Sequence, residues 1–447
     1  MLSLATLREV MEGAIPATVA TCSADGTPNV SYISQVHYVD EAHVALSFQF
    51  FSKTRQNVLA NPRASVLAIH PETGAQYRFE LEYLRTETAG PLFESMKAKL
   101  AGIASHAGMS GVFRLQGSDV YRVLGVERVP GGALEPPARS NLLPAVRAVV
   151  ERLARCTDLA ALLDEFLSAL EASLRIRHAM VLLTDADAQR LYTVATRGYE
   201  HSGVGSEIAF GDGVIGVAAQ ARTPIRLTHA AAEYSYGRTI RERAQAGGMA
   251  DALTAQIPFP GLHASGSQLA VPIAAGAQLI GVLYVESPEE QRFRYDDEDA
   301  LVAIASYAGV AIRLLQQGAE RDDETPSQAS QSPVPAGVAV PIRHYAEDDS
   351  VFVDGDYLIK GVAGAILWKL LREHADAGRS EFTNRELRLD PAIRLPELSE
   401  NLEARLVLLQ RRLAERCAFL RLEKTGRGRF RLVVSRPLRL VDAPGAT

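Results

Sequence analysis

The chain has 447 residues, 47% of them hydrophobic and 22% charged, with a formal net charge of −6 at pH 7. This composition excludes wholesale disorder, and the length favours about three domains. The sequence has neither an uncharged apolar run long enough to span a membrane nor the pattern of a secretory signal. Its cysteines, Cys22, Cys156 and Cys417, are far apart, which is typical of a reducing compartment. We therefore expect a cytoplasmic, multidomain α+β protein.

Two polar stretches rich in turn-forming residues predict the domain boundaries. Residues 130–141 cluster glycine and proline with little apolar content. Residues 317–341 are polar, contain prolines and cannot bury an apolar face. The predicted division is a first domain over residues 1–130, a second over 142–316, a linker over 317–341 and a third domain over 342–440.

Short β-type runs separated by turns dominate the first domain and predict a small six-stranded barrel. These runs cover residues 18–22, 30–34, 43–48, 64–69, 78–83 and 120–126.

A polar segment between two of these strands predicts a helix start that suits a phosphate. Ser52 is a favourable N-cap, and Pro62 ends the helix. The first turn of a helix offers unpaired backbone N–H groups and a partial positive charge. With the hydroxyls of Ser52 and Thr54 and the cations of Lys53 and Arg55, it forms a receptor for a phosphate monoester. The same residues are also typical of a plain helix cap with solvated charges, and the pattern alone does not choose.

Three stretches in this region, ADGTPNVSYIS, ALSFQFFSKTRQN and ANPRA, occur in a family's order. The region resembles the pyridoxamine 5′-phosphate oxidase-like FMN-binding split barrels over about residues 8–128. The resemblance implies a homodimer with flavin between the subunits. By position it assigns Ser52, Lys53 and Thr54 to the FMN phosphate, and Gln49 and Asn57 to further polar contacts. Haem, a deazaflavin or an empty barrel remain alternatives, and no catalytic residue is assigned, because a flavin carries the redox step itself.

The second domain is predicted to alternate helices and strands around a sensor-type sheet. A helical stretch over residues 142–173 precedes the strands, and a helix over 296–315 follows them. The stretches GDGVIGVA, AVPI and LIGVLYVES resemble a GAF domain over about residues 145–316. The resemblance implies binding of an unidentified small molecule, or dimerisation. The long segment 229–266 is either a ligand lid or a plain loop.

No histidine or cysteine cluster in the sequence has metal-ligand spacing, so no metal site is predicted. The glycines near residue 211 lack the spacing of a P-loop or a dinucleotide fingerprint.

The third domain combines a hairpin over residues 352–360, a helix over 362–374, a capping box from Thr383 to Glu386 and an amphipathic helix over 398–419. A glycine-rich hairpin over 420–434 ends it. From Arg405 onwards the sequence contains eleven lysines and arginines but only three acidic residues, a local excess of eight positive charges on an acidic protein.

This order resembles the winged-helix effector domain of response regulators over about residues 350–434. The resemblance implies that the long helix and the wing bind double-stranded DNA, where cations meet phosphates. The implied contacts are Arg405, Arg411 and Arg412 on the helix and Lys424, Arg427 and Arg429 on the wing. Val407 and Leu408 are unusual on a helix that contacts bases. The alternative is that this face packs on a partner protein.

Together these resemblances imply a flavin-binding sensory protein, dimeric through its barrel and GAF domain, whose winged-helix output is transcriptional. An FMN-dependent oxidoreductase regulated by the other domains is the competing hypothesis, and an interaction scaffold with an empty barrel is the third.

Overall fold

A computed structural model describes residues 2–11, 15–49, 52–106, 114–135, 141–185, 189–229, 257–318, 337–391, 393, 402–426 and 428–443. The described chain forms an N-terminal region up to residue 135, a middle region over 141–318 and a C-terminal region over 337–443.

The N-terminal region is a curled antiparallel sheet preceded by a 3₁₀ helix, Ala5–Met11. Its strands are β1 Ala17–Cys22, β2 Pro28–Ile33, β3 Val36–Tyr38, β4 His43–Phe48, β5 Arg63–Ile69, β6 Gln76–Glu87 and β7 Gly117–Arg128. They lie in the order β2-β1-β5-β6-β7-β4-β3. The six predicted strands are present. The seventh strand, β3, was not predicted, because a run of three residues is too short to show a strand pattern. Helix α1, Lys53–Ala60, follows β4, and helix α2, Pro91–His106, connects β6 to β7.

The middle region is a six-stranded antiparallel sheet with helices on both faces. Helices α3 Leu143–Leu153 and α4 Leu159–Leu174 precede β8 His178–Asp185, β9 Arg190–Arg197 and β10 Glu207–Ala209. Helix α5 Gly213–Ala221, β11 Ile225–Leu227, β12 Ser267–Ala275, β13 Gln278–Ser287 and helix α6 Tyr295–Gly318 follow. The helical stretch predicted over 142–173 is two helices. Asp158 caps a second helix by accepting a hydrogen bond from the Ala161 backbone N–H, which leaves Cys156 between the two.

Both faces of this sheet are covered, which explains the continuous apolar run in β8. Val181 and Leu183 pack into a core shared with α3, α4 and α6. Met180 and Leu182 face the opposite core, formed by α5 and by Ala98 of α2. A helix of the N-terminal region therefore completes the packing of the middle region. Most of the segment 229–266, predicted as a lid or a loop, lies outside the described residues.

The C-terminal region combines two small sheets with three helices. Its elements are β14 Val340–Tyr345, β15 Ser350–Val353, β16 Asp356–Ile359, helix α7 Gly361–Ala377, β17 Glu381–Thr383, helix α8 Asn384–Leu389, helix α9 Leu402–Arg416, β18 Leu420–Gly426, β19 Arg429–Val434 and β20 Leu438–Ala443. The sheet orders are β16-β15-β14-β20 and β17-β19-β18. The predicted hairpins and the capping box at Thr383 are confirmed. The final strand β20, which pairs in parallel with β14, was not predicted.

Candidate functional sites

The start of α1 has the local structure that its sequence predicts. Ser52 is extended, with φ −125° and ψ 170°, and its hydroxyl accepts a hydrogen bond from the Arg55 backbone N–H at 3.4 Å. Lys53, the first helical residue, is exposed. A helix that begins here has its partial positive end beside an exposed ammonium. This arrangement suits an anion.

Thr54 joins the helix start to strand β2. Its hydroxyl accepts a hydrogen bond from Asn29 Nδ2 at 3.0 Å and shares one with the Ser31 hydroxyl at 2.8 Å. Asn29 and Ser31 alternate along β2, so both point to the same side of the strand, towards α1. Sequence reasoning missed these two residues, although their period-two spacing was a signal that could have found them.

Arg55 does not join Lys53 at the helix start. Its guanidinium pairs with Asp119 at 2.5 Å, donates to the Thr86 hydroxyl at 2.8 Å and lies 4.6 Å from the centre of the Phe48 ring. Burial raises the pKa of Asp119, while its bonds to Thr86 and Arg55 oppose that rise. The cation that the sequence places in the phosphate receptor is therefore engaged inside the barrel.

Asn57 and Gln49 also have defined partners. Asn57 is buried, and its side-chain amide donates to the Thr21 hydroxyl at 3.1 Å, which ties α1 to β1. Gln49 donates to the Ser34 hydroxyl at 2.9 Å. The Oε1 atom of Gln49 is buried and has no hydrogen-bond partner among the residues that the structure describes. A buried acceptor without a partner is costly, so this oxygen suits a donor from a bound group.

The structure therefore brings Ser52, Lys53 and Thr54 together at one polar edge of the barrel. Asn57 is placed below them as a buried structural contact.

Two of the three predicted DNA-contacting arginines of α9, Arg405 and Arg411, bond to the middle region. Arg405 is 9% exposed, forms an ion pair with Asp185 at the end of β8, and lies 3.9 Å from the centre of the Tyr192 ring. Burial raises the pKa of Tyr192. Attraction to the carboxylate and to the aromatic face offsets the cost of removing the Arg405 cation from water.

Two more arginines on α9 are engaged by protein groups, Arg411 by the middle region and Arg412 by the C-terminal region itself. Arg411 donates to the Val194 carbonyl oxygen at 2.8 Å and pairs with Asp164 of α4 at 2.6 Å. Arg412 is 3% exposed and donates to the Leu358 carbonyl oxygen at 3.1 Å. Burial lowers the pKa of Arg412. All three predicted helix contacts are thus occupied by protein groups.

The apolar residues of α9 share this environment. Val407 and Leu408 are both buried. A Cβ built on Gly205 of the middle region would lie 3.7 Å from a Leu408 methyl group. The face of α9 therefore packs on the middle region of its own chain.

The hairpin of β18 and β19, which the sequence predicts to be a wing, is more exposed. Lys424 is exposed and Arg429 is half-buried, on the two strands β18 and β19 of the terminal hairpin. Arg427, also predicted to contact DNA, lies outside the described residues.

Within the described ranges, no group of three or more His, Cys, Asp or Glu side chains is arranged to hold a metal ion. Among the same residues, no helix is long and apolar enough to cross a membrane.

Comparison with known families assigns the first two regions. A family model described as pyridoxamine 5′-phosphate oxidase matches residues 4–123, and a GAF domain model matches residues 156–313. The chain carries a pyridoxamine 5′-phosphate oxidase-like domain and a GAF domain. No curated protein matches the chain.

Solved structures are similar over single regions at low identity. The GAF domain of an Acinetobacter phosphoenolpyruvate-protein phosphotransferase is 22% identical, covers 40% of this chain and 97% of that one, and has a TM-score of 0.32. A putative GAF sensor protein from Burkholderia vietnamiensis is 22% identical over 39% and 99% of the two chains, with a TM-score of 0.30. An FMN-binding protein from Syntrophomonas wolfei subsp. wolfei is 16% identical over 29% and 92%, with a TM-score of 0.23.

Proposed function

We propose that this protein is a flavin-binding sensory regulator. The oxidase-like barrel binds FMN, the GAF domain receives a second signal as a small molecule, and the C-terminal region is a winged helix that binds double-stranded DNA. The observation that carries the flavin assignment is the polar edge at the start of α1, where Ser52, Lys53 and Thr54 lie together beside β2.

The residues at this edge fit a phosphorylated flavin. The backbone N–H groups of the first helical turn, the Ser52 and Thr54 hydroxyls and the Lys53 ammonium would hold the phosphate. The Oε1 atom of Gln49, which has no partner within the described ranges, would accept a hydrogen bond from the ligand. FMN, when bound, supplies redox chemistry that no side chain provides. The protein's part is to bind and orient it.

The order of elements in the C-terminal region supports a winged helix. A sheet precedes α7, the short β17 and α8 lead into α9, and the hairpin β18–β19 follows. Strand β17 pairs with β19, which anchors the hairpin beside the helices. Lys424 on this hairpin is exposed, as a phosphate contact requires.

A homodimer is part of the proposal. Strand β2 is an edge strand of the barrel sheet, and its outward residues Val30 and Tyr32 are 65% and 82% exposed. Exposed apolar side chains on an edge strand favour a covering partner. They lie on the side of β2 opposite Asn29 and Ser31, so a second subunit here would cover the back of the strand that borders the flavin edge.

Titration with two flavins tests the FMN site. FMN and riboflavin differ by the phosphate alone, so the wild-type chain should bind FMN more tightly. Lys53→Ala should weaken FMN about tenfold or more and leave riboflavin unchanged, since a charge-assisted hydrogen bond contributes about 1.5–3 kcal/mol. Quenching of flavin fluorescence measures both affinities.

The control for this titration is Lys97→Ala, which removes another exposed lysine of the same domain, one paired with Glu94 on α2. It should bind both flavins like the wild type. Equal wild-type affinities for FMN and riboflavin, or an unchanged FMN affinity in Lys53→Ala, would overturn the assignment.

A further inference from the structure

Helix α9 presents its arginine-bearing face to the middle region, and this placement suggests how the output is controlled. We propose that the GAF domain is an intramolecular inhibitor, which occupies the DNA-contacting face of α9 and must release it before DNA binds. The inference rests on the proposed winged-helix function and adds its regulation.

The middle region offers α9 the chemistry that a DNA backbone would offer. Asp185 and Asp164 supply carboxylate oxygens to Arg405 and Arg411, and the Val194 carbonyl oxygen accepts a second bond from Arg411. Guanidinium groups bind carboxylate and phosphate oxygens with the same fork of donors. Docked in this way, the guanidinium groups of Arg405 and Arg411 bond to protein oxygens in place of phosphate oxygens.

The two ion pairs contribute unequally to the docking. Asp164 is 73% exposed, and exposed pairs contribute little because water screens them. The pair of Arg405 with Asp185 is mostly buried and backed by the Tyr192 ring. Removing Asp185 would leave a buried guanidinium without its counter-charge, which is strongly unfavourable. Asp185 is therefore the residue on which release depends most.

Apolar packing explains why α9 carries Val407 and Leu408. Both are buried, and they belong to the core cluster that also contains Tyr192 and Val204 of the middle region. A helix that only contacted bases would gain little from these side chains. A helix that alternates between DNA and a protein surface needs both the cations and the apolar residues.

Further contacts surround the docked helix. Lys360, just before α7, pairs with Glu207 of β10 at 3.4 Å. The Ser202 hydroxyl donates to Glu415 at 2.5 Å. Because Glu415 is on α9 and both Ser202 and Glu207 belong to the GAF domain, a ligand that shifts this end of the GAF sheet would act directly on the docked helix.

The experiment compares the full-length wild type with Asp185→Ala and the milder Asp185→Asn. The control, Glu171→Ala, removes an acid of α4 that pairs with Arg197 inside the middle region. Two readouts are taken on each protein: hydrogen exchange of residues 402–416, which reports release of α9, and anisotropy of a fluorescent mixed-sequence DNA duplex at low salt.

The expected result is faster exchange over α9 and tighter DNA binding in both Asp185 variants, with Glu171→Ala like the wild type. If the closed state holds about 90% of the molecules, release raises the apparent DNA affinity about tenfold. Adding Arg429→Ala to Asp185→Ala should weaken the gained binding, since it removes a phosphate contact.

The contrary outcomes are distinguishable. Faster exchange with DNA affinity equal to that of the wild type would overturn the inhibition while leaving DNA binding intact. Faster exchange with no DNA binding by any variant would overturn the winged-helix output, and the inhibition with it. Unchanged exchange in both Asp185 variants would overturn the role of this carboxylate in docking.

Discussion

Arg55 and Lys53 lie two residues apart on α1, yet their side chains lie in different environments. Lys53 is exposed at the helix start, while Arg55 lies between Asp119, Thr86 and the Phe48 ring. The sequence reveals that both are cations near a helix start. It does not reveal Asp119, which lies 64 positions further along the chain and meets Arg55 only when β7 pairs with β4.

The reactivity of the buried Cys417 thiol should depend on pH. Burial raises the pKa of its thiol to about 11, because a thiolate is poorly solvated there. Alkylation of Cys417 in the folded protein should be slow near neutral pH and should accelerate about tenfold per pH unit. The folded state holds the thiol proton of Cys417 more tightly than the unfolded state does. The contribution of this group to the free energy of unfolding is therefore complete below pH 9.0 and is lost as the pH rises towards about 11.

Mass spectrometry of iodoacetamide-treated protein across pH measures this reactivity, with a urea-unfolded sample as the control. Cys417 labelling at neutral pH as fast in the folded protein as in the unfolded one would contradict the burial on which the prediction rests.

Helices and strands with strong periodicity were predicted well, and elements defined by distant pairing were not. The apolar alternation of β1 and the capping box of α8 are local, so their sequences suffice. Strands β3 and β20 are short or edge elements whose existence depends on β4 and β14, respectively. The docking of α9 on the GAF domain could not be predicted from the sequence either, because Asp185 precedes its partner Arg405 by 220 residues.

Gly216 lies in α5 where the backbone of the preceding strand comes very close. Alanine in place of a helical glycine usually stabilises by about 1 kcal/mol. Here the new Cβ would lie 2.2 Å from the Ala209 carbonyl oxygen, a backbone atom that cannot move freely. The clash should dominate, so Gly216→Ala should destabilise the GAF domain by about 1–3 kcal/mol.

Thermal unfolding followed by circular dichroism tests this substitution. Gly131→Ala is the control, because a Cβ there meets no atom within 4 Å, and its melting temperature should stay unchanged. A higher melting temperature for Gly216→Ala would show that helix propensity outweighs the close contact.

Across the whole molecule, the barrel and the GAF domain are joined around Tyr295. Arg226 lies 4.3 Å from the centre of the Tyr295 ring, and the buried Lys99 of α2 lies 3.4 Å from its hydroxyl. Arg8 adds a bidentate pair with Asp299. With α9 docked on the opposite side of the sheet, the GAF domain contacts both the proposed sensor and the proposed output.

The proposed dimer makes a prediction at this scale. Tyr32→Asp places a charge on the outward side of β2, which a covering subunit would have to desolvate. Sedimentation velocity should show a dimer for the wild type and a monomer for the variant. Val338→Asp, at a residue 78% exposed in the C-terminal region, should remain dimeric. A monomeric wild type, or a dimeric Tyr32→Asp, would contradict the placement of the interface.

Whether the barrel holds FMN can be measured on the purified protein. The full-length protein is incubated with excess FMN, passed through a desalting column and examined for the visible absorption of flavin. The wild-type protein should retain one FMN per chain, and Lys53→Ala should retain much less. A colourless wild-type protein after saturation with FMN would contradict this expectation.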